Sequence, residues 1–233
     1  MKKSAIAIIL IIFFTYSYGQ KFSGGFAISP ILSWMKPPIT KNIETESMKF
    51  GFGFGVTGDY NLTDNFAFSS GININNFGGK LKFLDSIPEF TVDKGSYDSS
   101  YVFSPNAVVL YKMQYVEIPF SLKGKTNEIG YMTYFMKAGL NPMIRWQTKA
   151  DVTQGNISNE SIMKEVSGFA VGYSLAGGFE YSFGGNTKLL VELIYLNGLT
   201  DITKTKTYSA SSKQENNEKI ILNYIALKCG ILF

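Results

Sequence analysis

The stretch Phe50-Gly51-Phe52-Gly53-Phe54-Gly55-Val56-Thr57-Gly58-Asp59-Tyr60 decides how this chain is read. Apart from Gly58, its even positions are apolar and its odd positions small or polar. Side chains at i and i+2 of a strand share a face, so the segment is a strand with one greasy and one polar surface. The same beat returns in Phe169, Val171, Tyr173, Leu175, Gly177, Phe179, Tyr181 and Phe183. It closes the chain in Ile225, Leu227, Cys229, Ile231 and Phe233. Such strands pack sheet on sheet in water or turn their apolar face to lipid.

The amino terminus points to lipid. Lys2 and Lys3 precede an apolar run from Ala5 to Phe14, and Ser17 and Gly19 stand at the small-residue positions before Gln20. This is the layout of a secretory signal peptide over residues 1–19. A spanning helix needs about 20 apolar residues, roughly twice this run. No Cys follows to carry a lipid anchor. The expected mature domain is 20–233, about 210 residues without a Pro/Ser-rich linker, and no later apolar run is long enough to span as a helix.

Charge and cysteine content exclude several classes. The net charge of +4 falls to +2 once Lys2 and Lys3 are removed, which gives no support for nucleic-acid binding. Cys229 is the single cysteine, cannot form an internal disulfide, and lies on the apolar face of the last strand as a small hydrophobe.

The alternation predicts eight strands near 21–33, 48–61, 65–84, 111–124, 130–148, 166–183, 187–203 and 220–233. Three connections are short: Asn61 to Asn65, Gly124 to Gly130, and Gly184-Gly185-Asn186-Thr187. Four are long and polar: Trp34 to Ser47, Asp85 to Leu110, Lys149 to Glu165, and Lys204 to Lys219. Short turns at one end and long loops at the other define an all-β, eight-stranded antiparallel up-and-down transmembrane β-barrel. Charges sort accordingly. Lys49, Asp59, Glu117, Lys123, Lys137, Arg145, Glu180, Lys188, Glu192 and Lys228 all fall on the parity opposite the apolar residues. A barrel requires this, because a charge facing lipid at the midplane costs about 2–4 kcal/mol. Beyond Gly78-Gly79 the third strand departs from the pattern, its apolar residues becoming Leu81 and Phe83. The reading is either a β-bulge at the glycine pair or a segment already above the membrane.

A barrel of eight strands fills its interior with side chains. Gly51, Gly53, Gly55 and Thr57 leave inner space for bulky neighbours such as Tyr115 or Arg145. Glu117, Glu180 and Glu192 are expected to pair with Lys137, Arg145 and Lys228, since an unpaired ion in a packed lumen is expensive. A sealed lumen follows. Gly53-x-Gly55-x-x-Gly58 has dinucleotide-binding spacing but lacks the strand-turn-helix context that the fingerprint needs. No cofactor is expected. The chain has no His, which argues against barrel enzymes that use one as a base, and one Cys leaves no soft ligand set for a transition metal. No catalytic or metal residue is assigned.

Two stretches resemble a known family. Tyr115-Val116-Glu117-Ile118-Pro119-Phe120-Ser121-Leu122-Lys123 resembles the Tyr-x-Glu-Ile-Pro-x-x-x-Lys segment of PorT-like outer-membrane β-barrel proteins. Val191-Glu192-Leu193-Ile194-Tyr195-Leu196-Asn197-Gly198-Leu199-Thr200-Asp201-Ile202 is similar to that family's Glu-x-x-Tyr-x-x-Gly-Leu-x-x-Ile pattern, and the Lys137-Ala138-Gly139-Leu140 segment fits too. The resemblance implies a Gram-negative outer membrane, periplasmic termini, extracellular long loops, and for some members an accessory role in type IX protein secretion. Partners would then be outer-membrane lipid, the barrel assembly machinery and protein components of a secretion complex. The alternative is a self-standing structural or adhesion barrel of the OmpX kind that binds external protein.

Residue by residue, Pro119 removes a ladder hydrogen bond and predicts a bend or bulge. Phe90, Tyr97, Tyr101 and Phe103 are candidate partner contacts, or else interfacial aromatics or a strand extension. Phe233 resembles the terminal aromatic by which assembly machinery recognises its clients.

Overall fold

The computed structural model describes residues 21–37, 42–95, 97–155, 157–209, 214–216 and 218–233. The signal-peptide expectation for residues 1–19 lies outside the described residues. The strands are β1 (Phe22–Lys36), β2 (Ile43–Asn61), β3 (Phe66–Phe83), β4 (Ile87–Asp93), β5 (Asp98–Phe103), β6 (Ala107–Glu117), β7 (Phe120–Lys125), β8 (Met132–Val152), β9 (Ile157–Ser161), β10 (Phe169–Gly184), β11 (Thr187–Gly198), β12 (Thr207–Ser209), β13 (Gln214–Asn216) and β14 (Ile221–Leu232). A 3-10 turn covers Met163–Glu165.

Among the described residues, β1, β2, β3, β6 with β7, β8, β10, β11 and β14 pair antiparallel in chain order, and β14 returns to β1. The eight-stranded up-and-down barrel expected from the sequence is the fold. Its seam sets Gly25 opposite Leu232 and Ile28 opposite Cys229. Closure removes both edges, whose unsatisfied backbone groups would each cost several kcal/mol in lipid. At the tightest turn Gly184 and Gly185 take φ of +104° and +62°, the left-handed region that glycine enters without steric penalty.

β6 and β7 are one barrel strand interrupted at Ile118-Pro119. Both halves keep the same register against β3 and against β8, so Pro119 breaks the ladder without inserting a residue. Of the bend or bulge expected there, the unbroken register excludes the bulge. The Ile118 N–H donates to the Pro142 carbonyl at 3.0 Å across the gap. The bulge on this side of the barrel lies in β8: Tyr115 faces Arg145 but Gln114 faces Gln147, and Trp146 and Gln147 both point outward.

The third strand does not flip at Gly78-Gly79. Its register against β6 runs unbroken from Asn73 to Phe83, and its outward face reads Ile72, Ile74, Asn76, Gly78, Lys80, Lys82. The environment changes instead. Toward the short turns the outer face is apolar, with Phe26, Phe54, Ile72, Leu122, Met136 and Leu175 exposed. Toward the long loops it becomes polar while the inner face becomes apolar, with Phe77, Leu81, Phe83, Val109, Tyr111 and Met113 buried. The wall is built for lipid outside in one half and for water outside in the other.

The described residues of the long loops carry strands of their own. β4 and β5 form a hairpin, β9 pairs with β8, and Asp93 of β4 pairs with Ser161 of β9. Ile87, Phe90, Val92, Phe103, Ile157, Ile162, Val166 and Ile202 belong to the same buried cluster as the upper lumen residues Phe77, Tyr111 and Met143. The loops make a cap whose core is continuous with that of the barrel.

Candidate functional site

The lumen is layered. Nearest the short turns, Lys123 lies between two carboxylates. Its ammonium is 2.5 Å from Asp59 Oδ2 and also donates to Glu180, whose other oxygen accepts from Lys188 at 3.3 Å. Lys123 is only 1% exposed. A buried cation is tolerable here because two carboxylates accept from it and offset its charge. Lys137 pairs with Glu192 at 3.3 Å, and the Phe135 ring lies 4.4 Å from Lys123 Nζ and 5.0 Å from Lys137 Nζ. One aromatic face thus serves two ammonium groups.

The next layer is neutral around a single charge. Glu117 accepts from Asn75 Nδ2 at 3.0 Å, Asn141 Nδ2 at 2.9 Å and the Tyr224 hydroxyl at 2.8 Å. Ser174 donates to Asn141 Oδ1 at 2.7 Å and fixes that amide's orientation. Above it, Phe77 stacks on Tyr115 and Tyr224 with centroids 5.5 and 6.1 Å apart. The apolar half begins there.

The structure brings together part of the expected charge network. Lys137 with Glu192 is an expected pair. Glu180 pairs with Lys123 and Lys188, residues of the correct parity that the expected pairing left out. Glu117 pairs with no cation among the described residues; amides and a phenol take that role. Lys228 stands opposite Glu192 in the β11–β14 register and is buried, but no carboxylate lies within 4 Å of it among the described residues. Arg145 does not enter the lower lumen. Its Nη1 donates to the Met163 and Val166 carbonyls and ties the barrel to the cap. The space at Gly53 and Gly55 is taken by Asn75 and Asn73, and by Ile31 at Gly53, not by Tyr115 or Arg145.

Sequence reasoning missed the centre of the cap. Glu165, buried in the 3-10 turn, accepts the Thr91 N–H and the Thr205 hydroxyl, both at 2.8 Å, while its carbonyl accepts the Lys204 N–H at 2.8 Å. One side chain joins three loops. A 3-10 turn inside a polar loop carries no periodic signal, so nothing in the pattern marked it. Tyr115 adds a further tie, donating to the Ser167 carbonyl at 2.5 Å. Burial pushes the Asp201 carboxyl above the usual carboxylate range, although it accepts the Thr203 and Ile220 N–H groups at the cap's edge.

The aromatic quartet divides. Phe90 and Phe103 are buried and packed on one another at 5.5 Å, and Tyr101 stacks on Phe103 at 6.2 Å. Phe90 and Phe103 are core residues of the cap, which corrects their candidacy as partner contacts: buried rings cannot be offered to a partner, whereas Tyr101 is half-buried at the edge of that core. Tyr97, at the turn of the β4–β5 hairpin, is exposed at 66%, and Val102, farther along in β5, at 76%. Phe233 also presents its ring outward, while its N–H and carbonyl bond to Gly24 at 2.8 and 3.2 Å.

A closed barrel with a lipid-facing apolar band and a filled lumen defines an outer-membrane β-barrel protein, in the outer membrane of a Gram-negative bacterium. The sequence profile of the outer membrane protein beta-barrel domain matches residues 19–204, and the chain belongs to that family. No curated protein matches it. Among solved structures, OprG from Pseudomonas aeruginosa is similar at 15% identity and a TM-score of 0.47, covering 91% of this chain and 94% of that one. Neisserial surface protein A is similar at 12% identity and a TM-score of 0.43, covering 91% and 95%. Ail, the attachment invasion locus protein of Yersinia pestis, is similar at 12% identity and a TM-score of 0.43, covering 92% and 100%.

Proposed function

We propose that this chain is a non-enzymatic, plugged barrel that displays a fixed protein-binding surface outside the cell, with its termini and short turns in the periplasm. The observation that carries this reading is the single apolar core running from Phe77 and Tyr111 in the barrel to Phe90, Phe103 and Ile162 in the loops. Ordering loop residues costs on the order of 1–2 kcal/mol each in backbone entropy, so a pre-ordered cap meets a partner with that cost already met. Tyr97 and Val102 are its exposed apolar groups on the β4–β5 hairpin. A filled lumen disfavours a channel. Glu117, Glu180 and Glu192 are each held by donors, which leaves no free carboxylate for acid-base work among them.

The accessory role in type IX secretion that the PorT-like motifs imply rests on those motifs; the matched family is the broader one. Leu62, Ile129 and Tyr131, exposed at the short turns, are where a periplasmic machine would dock. Photo-crosslinking amino acids at Tyr97 and Val102, or at Leu62 and Ile129, separate the two roles in intact cells. Protein adducts from the hairpin alone support display, whereas adducts from the turns alone support the accessory role and overturn ours.

A further inference from the structure

Just above the apolar band, four neighbouring strands turn a basic row outward. Lys49 of β2, Asn76 of β3, Lys112 and Gln114 of β6, and Gln147 and Lys149 of β8 line one pocket of about 150 Å³. The register sets Asn76 beside Gln114, Gln114 beside Gln147, and Lys112 beside Lys149. Two irregularities assemble it. The β8 bulge turns Gln147 and Lys149 to the outside. In β2 the pairing with β3 shifts between Met48 and Phe52, and the Ser33 hydroxyl fills the opening, accepting the Gly78 N–H at 2.9 Å. Lys49, expected to face inward from its parity, thereby reaches the outer surface. Gly78 makes the room: a Cβ there would overlap the Tyr111 carbonyl and come within 3.2 Å of Lys49 Cδ.

The charge in this pocket is unbalanced. Lys112 pairs with Asp151 at 2.6 Å, but Lys49 and Lys149 have no carboxylate within 4 Å among the described residues. Three cations stand against one anion, and the side-chain amides of Gln114 and Gln147 make no hydrogen bond among the described residues. Directly below on the same outer face lie Ile74, Val116, Ile144 and Trp146, so the pocket opens where hydrocarbon gives way to headgroups. Its volume equals roughly five waters, room for one phosphoryl group.

We propose that this pocket binds the phosphate of a phosphorylated lipid in the leaflet around the looped end of the barrel. Three ammonium groups and two free amides supply the charge and the donors that a phosphate's oxygens need, and the apolar wall below receives the acyl chains. A protein partner fits less well, because the lower rim of the site faces lipid.

The test uses the mature chain, refolded in detergent and incubated with bis-phosphorylated lipid A, with its dephosphorylated form, or with inorganic phosphate, and read by native mass spectrometry. Bound lipid A is expected at one per barrel. Lys49→Gln with Lys149→Gln should weaken it at least about tenfold, and the charge-matched control Lys80→Gln with Lys82→Gln should not. Heat-modifiable gel migration checks that each variant is folded. The dephosphorylated arm needs no variant, and equal retention of that lipid would overturn the proposal. So would equal losses in the two variant pairs, or displacement of lipid A by equimolar inorganic phosphate, which would make the pocket a free-anion site.

Discussion

Tyr224 donates its hydroxyl to Glu117 at 2.8 Å across 107 positions of sequence, while its ring stacks on Phe77 at 6.1 Å. The one residue belongs to both halves of the lumen. Its phenol completes the polar layer, and its ring is the floor of the apolar core that continues into the cap. Tyr224→Phe keeps the ring and removes the donor, leaving Glu117 with the Asn75 and Asn141 amides. A hydrogen bond to a charged acceptor contributes about 1.5–3 kcal/mol, so the urea midpoint for unfolding from detergent should fall by that equivalent. An unchanged midpoint would mean that water replaces the phenol.

Lys123→Met should be the most damaging single change in the lower lumen. It leaves Asp59 and Glu180 facing each other without the cation that both contact, and breaking a buried pair typically costs about 3–5 kcal/mol. Glu192→Leu orphans only Lys137, whose pair is longer at 3.3 Å and whose ammonium also lies near Phe135. It should therefore cost less. Equilibrium unfolding of the two variants side by side gives the order, and the reverse order would show that Lys137 is the dominant buried cation.

The barrel was legible because lipid enforces the two-residue beat along every strand. Phe50 to Tyr60 alternates since each even side chain must face hydrocarbon. The same rule failed at Leu81 and Phe83, where the strand has left the membrane and the apolar side is the inside; parity alone gives a face, never the solvent on it. Pairing inside the lumen was less legible. Glu117 looked like half of a salt bridge, yet three neutral donors on β3, β8 and β14 hold it, and no local pattern reports what sits across a barrel. Lys49 was misplaced because a bulge between Met48 and Phe52 leaves no mark beyond its glycine. The cap was illegible for a plainer reason: hairpins and a single 3-10 turn in polar loops have no sustained period.

Glu165 is the residue whose loss should loosen the cap without opening the barrel. Glu165→Ala frees the Thr91 N–H and the Thr205 hydroxyl together, so the described stretches around Thr91, Glu165 and Thr205 should all exchange faster. Hydrogen exchange in the cap should rise by about tenfold or more, corresponding to roughly 1–3 kcal/mol for a buried donor left unsatisfied, with the strands below Glu117 unchanged. Faster exchange in one loop only would show that the three are held separately.

Phe233 tests what the aromatic that follows β14 is for. Its ring is exposed, so little packing energy depends on it, whereas its backbone closes the seam through two hydrogen bonds to Gly24. Deleting it removes those two bonds, net about 1–3 kcal/mol, from a barrel whose remaining β1–β14 ladder runs on from Gly25 opposite Leu232. A terminal aromatic that serves as an assembly signal would show a different cost, since recognition by the assembly machinery precedes closure. The deletion should lower the folded fraction in cells severalfold while refolding in detergent stays nearly complete. Matching losses in the two settings would make Phe233 a seam residue only, and normal assembly in cells would remove the signalling role altogether.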